Sequence, residues 1–239
     1  MPENILVLSY KFPPYEKIGA RRWAKFAKYF VNKGYTVHVI TNNWKIKNFR
    51  SSSQDDIDRP GIIIKRFQTP FNYFKSGKKI PDKIINKIEY LLSKMFNWTD
   101  EAYPFYVFNF RKIVAYLEKN NISKIIATGG PFSSNYFASM IKRKSPSTIV
   151  IQDFRDLWTE EEAYFYEFKT RGPLDKIYRK EIKMEEFSLR FSDRIVSVTP
   201  GCLSRLERKA QDYGLVNKKY SLIENGFDET DKKQIPSLQ

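Results

Sequence analysis

"NILVLSYKFPPYEKIGARRWAKFAKYFVNKGYTVHVITN" (residues 4–42) reads as strand, loop, helix and strand. The runs at 4–10 and 36–42 are short, apolar and β-branched. Between them Trp23, Phe26, Ala27, Phe30 and Val31 fall at spacings of three and four, so one face of a helix can lie on a sheet. Gly34 follows where that helix should stop. A strand that returns through a crossover helix is the unit of a parallel sheet. The alternation recurs downstream: "GIIIKRF" (61–67), "KIIATGG" (124–130), "STIVIQDF" (147–154), "RIVSVTP" (194–200) and "YSLIENGF" (220–227) read as strands. Helices are expected over 82–96, 104–120, 133–144, 173–191 and 201–212, and "SSSQDDIDRP" (51–60) reads as a surface loop. The expected fold is α/β: a Rossmann-like, doubly wound, mostly parallel sheet with helices on both faces.

In such sheets ligands bind beyond the carboxyl ends of the strands, near the point where strand order reverses. Five segments lie there: 11–22, 129–134, 153–158, 199–202 and 225–228. The first carries Gly19 ahead of Arg21 and Arg22. A glycine at a helix start lets an anion approach unpaired backbone N–H groups, and arginines add forked donors. The alternative is a simple turn at Gly19 with two solvated arginines. "ATGGPFSS" (127–134) offers Gly129 and Gly130 as an open backbone and Ser133 at a helix start, where one of the serines is expected to cap the helix and a hydroxyl can also face a sugar or phosphate. "QDFRDLWTEEE" (152–162) places Asp153, Arg155 and Asp156 at a strand exit. They form either an internal salt bridge that fixes the loop or a site where a carboxylate hydrogen-bonds or helps deprotonate a substrate hydroxyl, Asp156 being the catalytic candidate. Glu160 to Glu162 read as a solvated helix start.

Several chemistries are excluded. There is no G-x-G-x-x-G after the first strand, no acid after the second and no Walker A loop. His38 is the only histidine and lies within a strand, so no Ser-His-Asp or Cys-His constellation can form; its tip is expected to meet backbone or water near the sheet edge. The single cysteine, Cys202, rules out an internal disulfide and reads as structural, and metal-ligand spacing is absent.

These segments together resemble the N-terminal domain of the family-4 retaining glycosyltransferases, GT-B enzymes common in bacterial capsule, O-antigen and exopolysaccharide assembly. The matching stretches are "ILVLSYKFPPYEKIGARRWAKFAKYFVNKGYTVHVIT", "IIATGGPFSSNYFASMIKRK", "IVIQDFRDLWTE", "EEFSLRFSDRIVSVTPGCLSRL" and "KYSLIENGFDETD", in that family's order and over most of residues 4–231. The resemblance implies transfer of a sugar from a nucleotide-activated donor to an acceptor hydroxyl with retention. It implies no obligatory metal and no cofactor, the nucleotide sugar being a substrate. Gly19, with Arg21 nearby, would approach the donor phosphates. Arg155-Asp156 stands where relatives often have an acceptor-side histidine, so Asp156 is assigned to positioning an acceptor hydroxyl. Asn225-Gly226 resembles the turn that closes the domain. Residues 1–231 would be the N-terminal domain and 232–239 the start of the interdomain linker. Relatives continue into a second Rossmann-like domain that binds most of the donor and carries two glutamates eight positions apart, a separation no two glutamates show here. This polypeptide alone is therefore expected to transfer negligibly, and a C-terminal domain is an expected partner.

The formal charge of +15, from 42 Lys and Arg against 27 Asp and Glu, attracts polyanions. No helix-turn-helix, RNP or zinc pattern accompanies it, which argues against nucleic acid. No signal peptide or span of about 20 apolar residues is present, which points to the cytoplasm. The helix at 82–96, with Lys78, Lys79, Lys83, Lys87 and Lys94 in or near it, reads either as a core helix with solvated lysines or as one lying on an anionic bilayer at the inner face of the membrane, where lipid-linked acceptors reside.

Overall fold

The structure, a computed structural model, describes residues 2–15, 18–43, 53–71, 81–160 and 176–228. Its order is β1 (Asn4–Leu8), α1 (Ile18–Asn32), β2 (Thr36–Asn42), α2 (Gln54–Ile57), β3 (Ile62–Phe67), α3 (Asp82–Met95), α4 (Tyr103–Lys119), β4 (Lys124–Thr128), α5 (Ser133–Lys144), β5 (Ile149–Phe154), α6 (Lys176–Arg190), β6 (Arg194–Ser197), α7 (Pro200–Asp212) and β7 (Lys219–Leu222). The strands form one sheet in the order β3-β2-β1-β4-β5-β6-β7, and every pairing is parallel. Strand order reverses between β1 and β4, where Leu8 stands opposite Ala127.

Alternation along the strands builds two core layers. Ile5 and Val7 of β1 meet Trp23, Ala24 and Ala27 of α1 on one face. Leu6 and Leu8 meet Phe105, Tyr106 and Ile113 of α4 and Phe137 of α5 on the other. A third cluster under α6 and α7 joins Phe154, Trp158, Leu189, Ile195 and Leu206. Each large apolar side chain so buried contributes roughly 1.5–3 kcal/mol of transfer free energy.

Four details depart from the sequence reading. Strands β1, β4, β6 and β7 stop at Leu8, Thr128, Ser197 and Leu222, short of the apolar runs. The segment read as a surface loop contains α2, with Asp56 and Ile57 buried. Ile57 joins the core on Val37 and Val39, while Asp56 pairs with Lys25 at 2.7 Å and Lys28 at 3.4 Å. His38 sits on β2, next to the edge strand β3, but its Nδ1 shares a 2.8 Å hydrogen bond with the Tyr116 hydroxyl rather than with backbone or water. Among the described side chains of α3 Ile85 alone is buried, whereas Ile84, Ile88, Leu91, Met95 and, just after the helix, Phe96 are exposed.

Candidate functional site

Two buried networks set the strand ends that frame the switch point. On one face, the Asn135 amide donates to Gln152 Oε1 at 2.6 Å, and Gln152 Nε2 donates to Ser139 Oγ at 2.8 Å and to the Asn135 carbonyl at 3.1 Å. This fixes α5 on β5 and with it the turn Gly129–Phe132. The start of α5 is capped from a distance: the Asp100 carboxylate accepts from the Ser133 N–H at 2.8 Å and the Ser133 hydroxyl at 2.7 Å. Ser134 instead donates to the carbonyls of Thr128 and Pro131. Neither serine caps the helix: it begins at Ser133, so both stand inside its first turn, and Phe132 holds the cap position. Burial pushes the Asp100 carboxyl up from the usual carboxylate range, opposed by the hydrogen bonds from Ser133 and Ala102.

On the other face lies Asp153. Its side chain points toward α1, accepts from Trp23 Nε1 at 2.9 Å and stands 3.6 Å from Arg22. Burial raises its carboxyl pKa, the Arg22 charge and the indole N–H working against that rise. Arg22 is desolvated too, which lowers its guanidinium pKa. It donates to the carbonyls of Ile223 at 3.0 Å and Glu224 at 3.1 Å and to Asn225 Oδ1 at 2.9 Å. Arg22 therefore ties β5, α1 and the segment after β7 together. That segment is anchored again where Asp228 meets Lys28 at 2.6 Å and Lys25 at 3.2 Å.

Above these networks opens a cleft of about 620 Å³, lined among others by Lys11, Gly19, Arg21, Gly130, Arg155 and Asp156. Arg155 organises it. Its Nε donates to Thr128 Oγ1 at 3.1 Å, and its Nη2 donates to the carbonyls of Gly129 and, at 3.0 Å, Gly130. Three acceptors at the end of β4 pin the guanidinium, and its far edge lies under Gly19, where a Cβ would overlap it. The glycine thus admits a protein side chain, a different reason from the anion approach read in the sequence. Gly130 has φ +73°, a conformation that favours glycine, and a Cβ there would sit 3.6 Å from Asp156 Oδ2. Gly129 packs on Phe132, whose ring a Cβ would approach to 2.6 Å, and Phe132 stacks on Trp158.

Five of the residues singled out in the sequence, Gly19, Arg21, Gly130, Arg155 and Asp156, share this cleft. Arg22, Gly129, Ser133, Asp153 and Asn225 do not line it; they hold its walls. Lys11 and Tyr15, within the segment 11–22 expected at the strand ends but not among the named candidates, also line it, as does Ser53, for which the sequence gives no signal. Lys11 pairs with Glu101 at the rim. Glu160 binds Arg205 at 3.2 Å and Lys209 at 3.3 Å, so it is paired, and Glu161 and Glu162 lie outside the described residues. The Cys202 N–H is accepted by Thr199 Oγ1 at 3.2 Å, and the cysteine is half-buried. Among the described residues no group of three or more His, Cys, Asp or Glu could hold a metal ion, and no helix is long and apolar enough to cross a membrane.

The chain is similar in structure to Glycyrrhiza uralensis UGT73P12, solved with glycyrrhetinic acid 3-O-monoglucuronide, at 14% identity and TM-score 0.56 over 97% of this chain and 51% of that one. It is similar to Phytolacca americana UGT2, solved with UDP-2-fluoro-glucose and pterostilbene, at 8% identity and TM-score 0.57 over 95% of this chain and 54% of that one. It also matches a sucrose-phosphate synthase segment from Thermosynechococcus elongatus at 14% identity and TM-score 0.51 over 97% of this chain and 94% of that one. The fold is that of one Rossmann-like half of a GT-B protein. The chain spans about half the length of the two UGT chains it matches. No protein-family model and no curated protein matches the sequence.

Proposed function

We propose that the chain is the N-terminal, acceptor-binding half of a retaining glycosyltransferase of the family-4 kind. It acts in bacterial surface-polysaccharide assembly, with a nucleotide sugar as donor, a glycan or lipid-linked molecule as acceptor and a C-terminal domain to hold most of the donor. The observation that carries this reading is the convergence of Gly19, Arg21, Gly130, Arg155 and Asp156 on one cleft at the switch point. The first turn of α1 brings backbone N–H groups and the positive end of the helix to the cleft, and Arg21 and Lys11 add charge there.

In the proposed reaction the acceptor oxygen bonds the anomeric carbon while the donor's bond from sugar to diphosphate breaks, and the acceptor hydroxyl's proton passes to the departing diphosphate. Negative charge grows on the departing diphosphate, and donors already in place at the helix start stabilise it. Asp156 accepts a hydrogen bond from the acceptor hydroxyl and orients it. Arg155 does not touch substrate; it holds the carbonyls of Gly129 and Gly130 and so shapes the floor. Arg22, Asp153, Ser133 and Asn225 act through the positions of α1, β5 and α5.

The test is amide NMR of the full chain titrated with UDP, UDP-glucose and pyrophosphate. Shifts should concentrate at Gly19, Arg21 and Gly130 and weaken at least tenfold in Arg21→Ala. Shifts elsewhere, or equal in the variant, refute the reading. Joined to its C-terminal domain, Asp156→Asn should lower kcat with little change in donor KM.

A further inference from the structure

Helix α3 carries an apolar face that nothing in the described fold covers. Ile84, Ile88, Leu91 and Met95 are each 45–63% exposed, while Ile85 on the adjacent face is 3% exposed and anchors the helix. At 100° per residue the four exposed side chains fall within an arc of about 60°. Lys83, Lys87 and Lys94, all exposed, fall within about 40° on the flank of that arc away from the protein body. The only acid on the helix whose side chain is described, Glu89, turns to the opposite flank and is half-buried. Isolated exposed apolar residues are ordinary, but a row of four along one helix is an interaction surface.

The charge beside the row decides what covers it. Lysines bordering one edge of an apolar stripe put ammonium groups at the depth of lipid headgroups when the stripe enters the acyl boundary, and a chain of formal charge +15 is drawn to an anionic surface. A second copy packed antiparallel through the same stripe would bring the three lysines of each copy to the same side of the seam. We infer that α3 lies in the plane of an anionic lipid surface, with Ile84, Ile88, Leu91 and Met95 inserted and Lys83, Lys87 and Lys94 at the headgroups. The inference rests on the exposed stripe and not on the glycosyltransferase reading, and either can fail alone.

Sedimentation of the full chain with phosphatidylglycerol and with phosphatidylcholine vesicles tests it. The chain should pellet with the anionic vesicles and at least tenfold less with the neutral ones. The double variant I88E/L91E, at exposed positions, should keep its melting temperature and circular dichroism and lose at least tenfold in vesicle binding. Neutralising the lysines, K83Q/K87Q/K94Q, should cost about fivefold per lysine and flatten the salt dependence. Equal binding by wild type and I88E/L91E overturns the inference, as does equal binding to both vesicle types. So does a lipid-free dimer in sedimentation equilibrium that I88E/L91E dissolves, which would make a second copy the occupant.

Discussion

Gly19→Ala separates a helix effect from a steric one. Replacing glycine by alanine in a helix ordinarily stabilises by about 0.5–1 kcal/mol, because the unfolded chain loses freedom. Here the new methyl overlaps the Arg155 guanidinium, which is held by Thr128 Oγ1 at 3.1 Å, by the Gly129 carbonyl and by the Gly130 carbonyl at 3.0 Å. Making room means breaking hydrogen bonds from a charged donor, each worth about 1.5–3 kcal/mol, or moving the first turn of α1. Loss of one such bond outweighs the helix gain and leaves a net destabilisation of about 0.5–2.5 kcal/mol. At this chain length that lowers Tm by roughly 1–10 °C. Urea denaturation of the wild type, Gly19→Ala, Arg155→Ala and the double variant completes a cycle. In the Arg155→Ala background the obstacle is gone, and Gly19→Ala should become stabilising by about 0.5 kcal/mol. Stabilisation of the otherwise unaltered chain by Gly19→Ala would refute the claim that Arg155 dictates glycine at this position.

Arg22→Ala leaves the Asp153 carboxylate buried without its guanidinium and releases three acceptors in the segment after β7. The expected loss is about 3 kcal/mol in urea denaturation, with faster amide exchange around residues 223–225. His38 has its pKa lowered by burial and by Lys65, so the unfolded chain binds its proton more readily than the folded one. Its cost is absent above the unfolded value of about 6.5 and grows as pH falls through the interval down to the depressed folded value. His38→Leu should therefore show a smaller drop in Tm between pH 7 and pH 5 than the wild type; an equal drop refutes this assignment.

The sheet was legible because strand and helix periodicities alternate cleanly, and parallel strands buried on both faces need continuous apolar runs such as "ILVL" and "KIIA". What the pattern could not show is where pairing stops. Ser9, Gly129 and Val198 continue the apolar or small-residue texture just past the ends of β1, β4 and β6, although the Ser9 and Gly129 N–H groups still reach the Ile40 and Asp153 carbonyls. Partners far apart in sequence were equally hidden. Asp100 gives no local sign that it caps a helix starting at Ser133, and α2 looked like a polar loop because Asp56 is buried only in company with Lys25 and Lys28. Arg21 and Arg22 look alike in the sequence. One step of 100° along α1 sends Arg21 to the cleft and Arg22 to Asp153 and the segment after β7, a distinction only the sheet behind the helix creates.

Strand order also governs how the chain emerges from a ribosome. The inner neighbour of β1 is β4, so Ile5 waits for Lys124 before its second edge is paired. While the intervening residues are being made, β1 through β3 present an unsatisfied, apolar ribbon border of the kind that recruits foreign strands. Synthesis halted before β4 should yield a sticky nascent product in need of chaperoning. One halted after β5 should be far better behaved, because the border has by then been sealed.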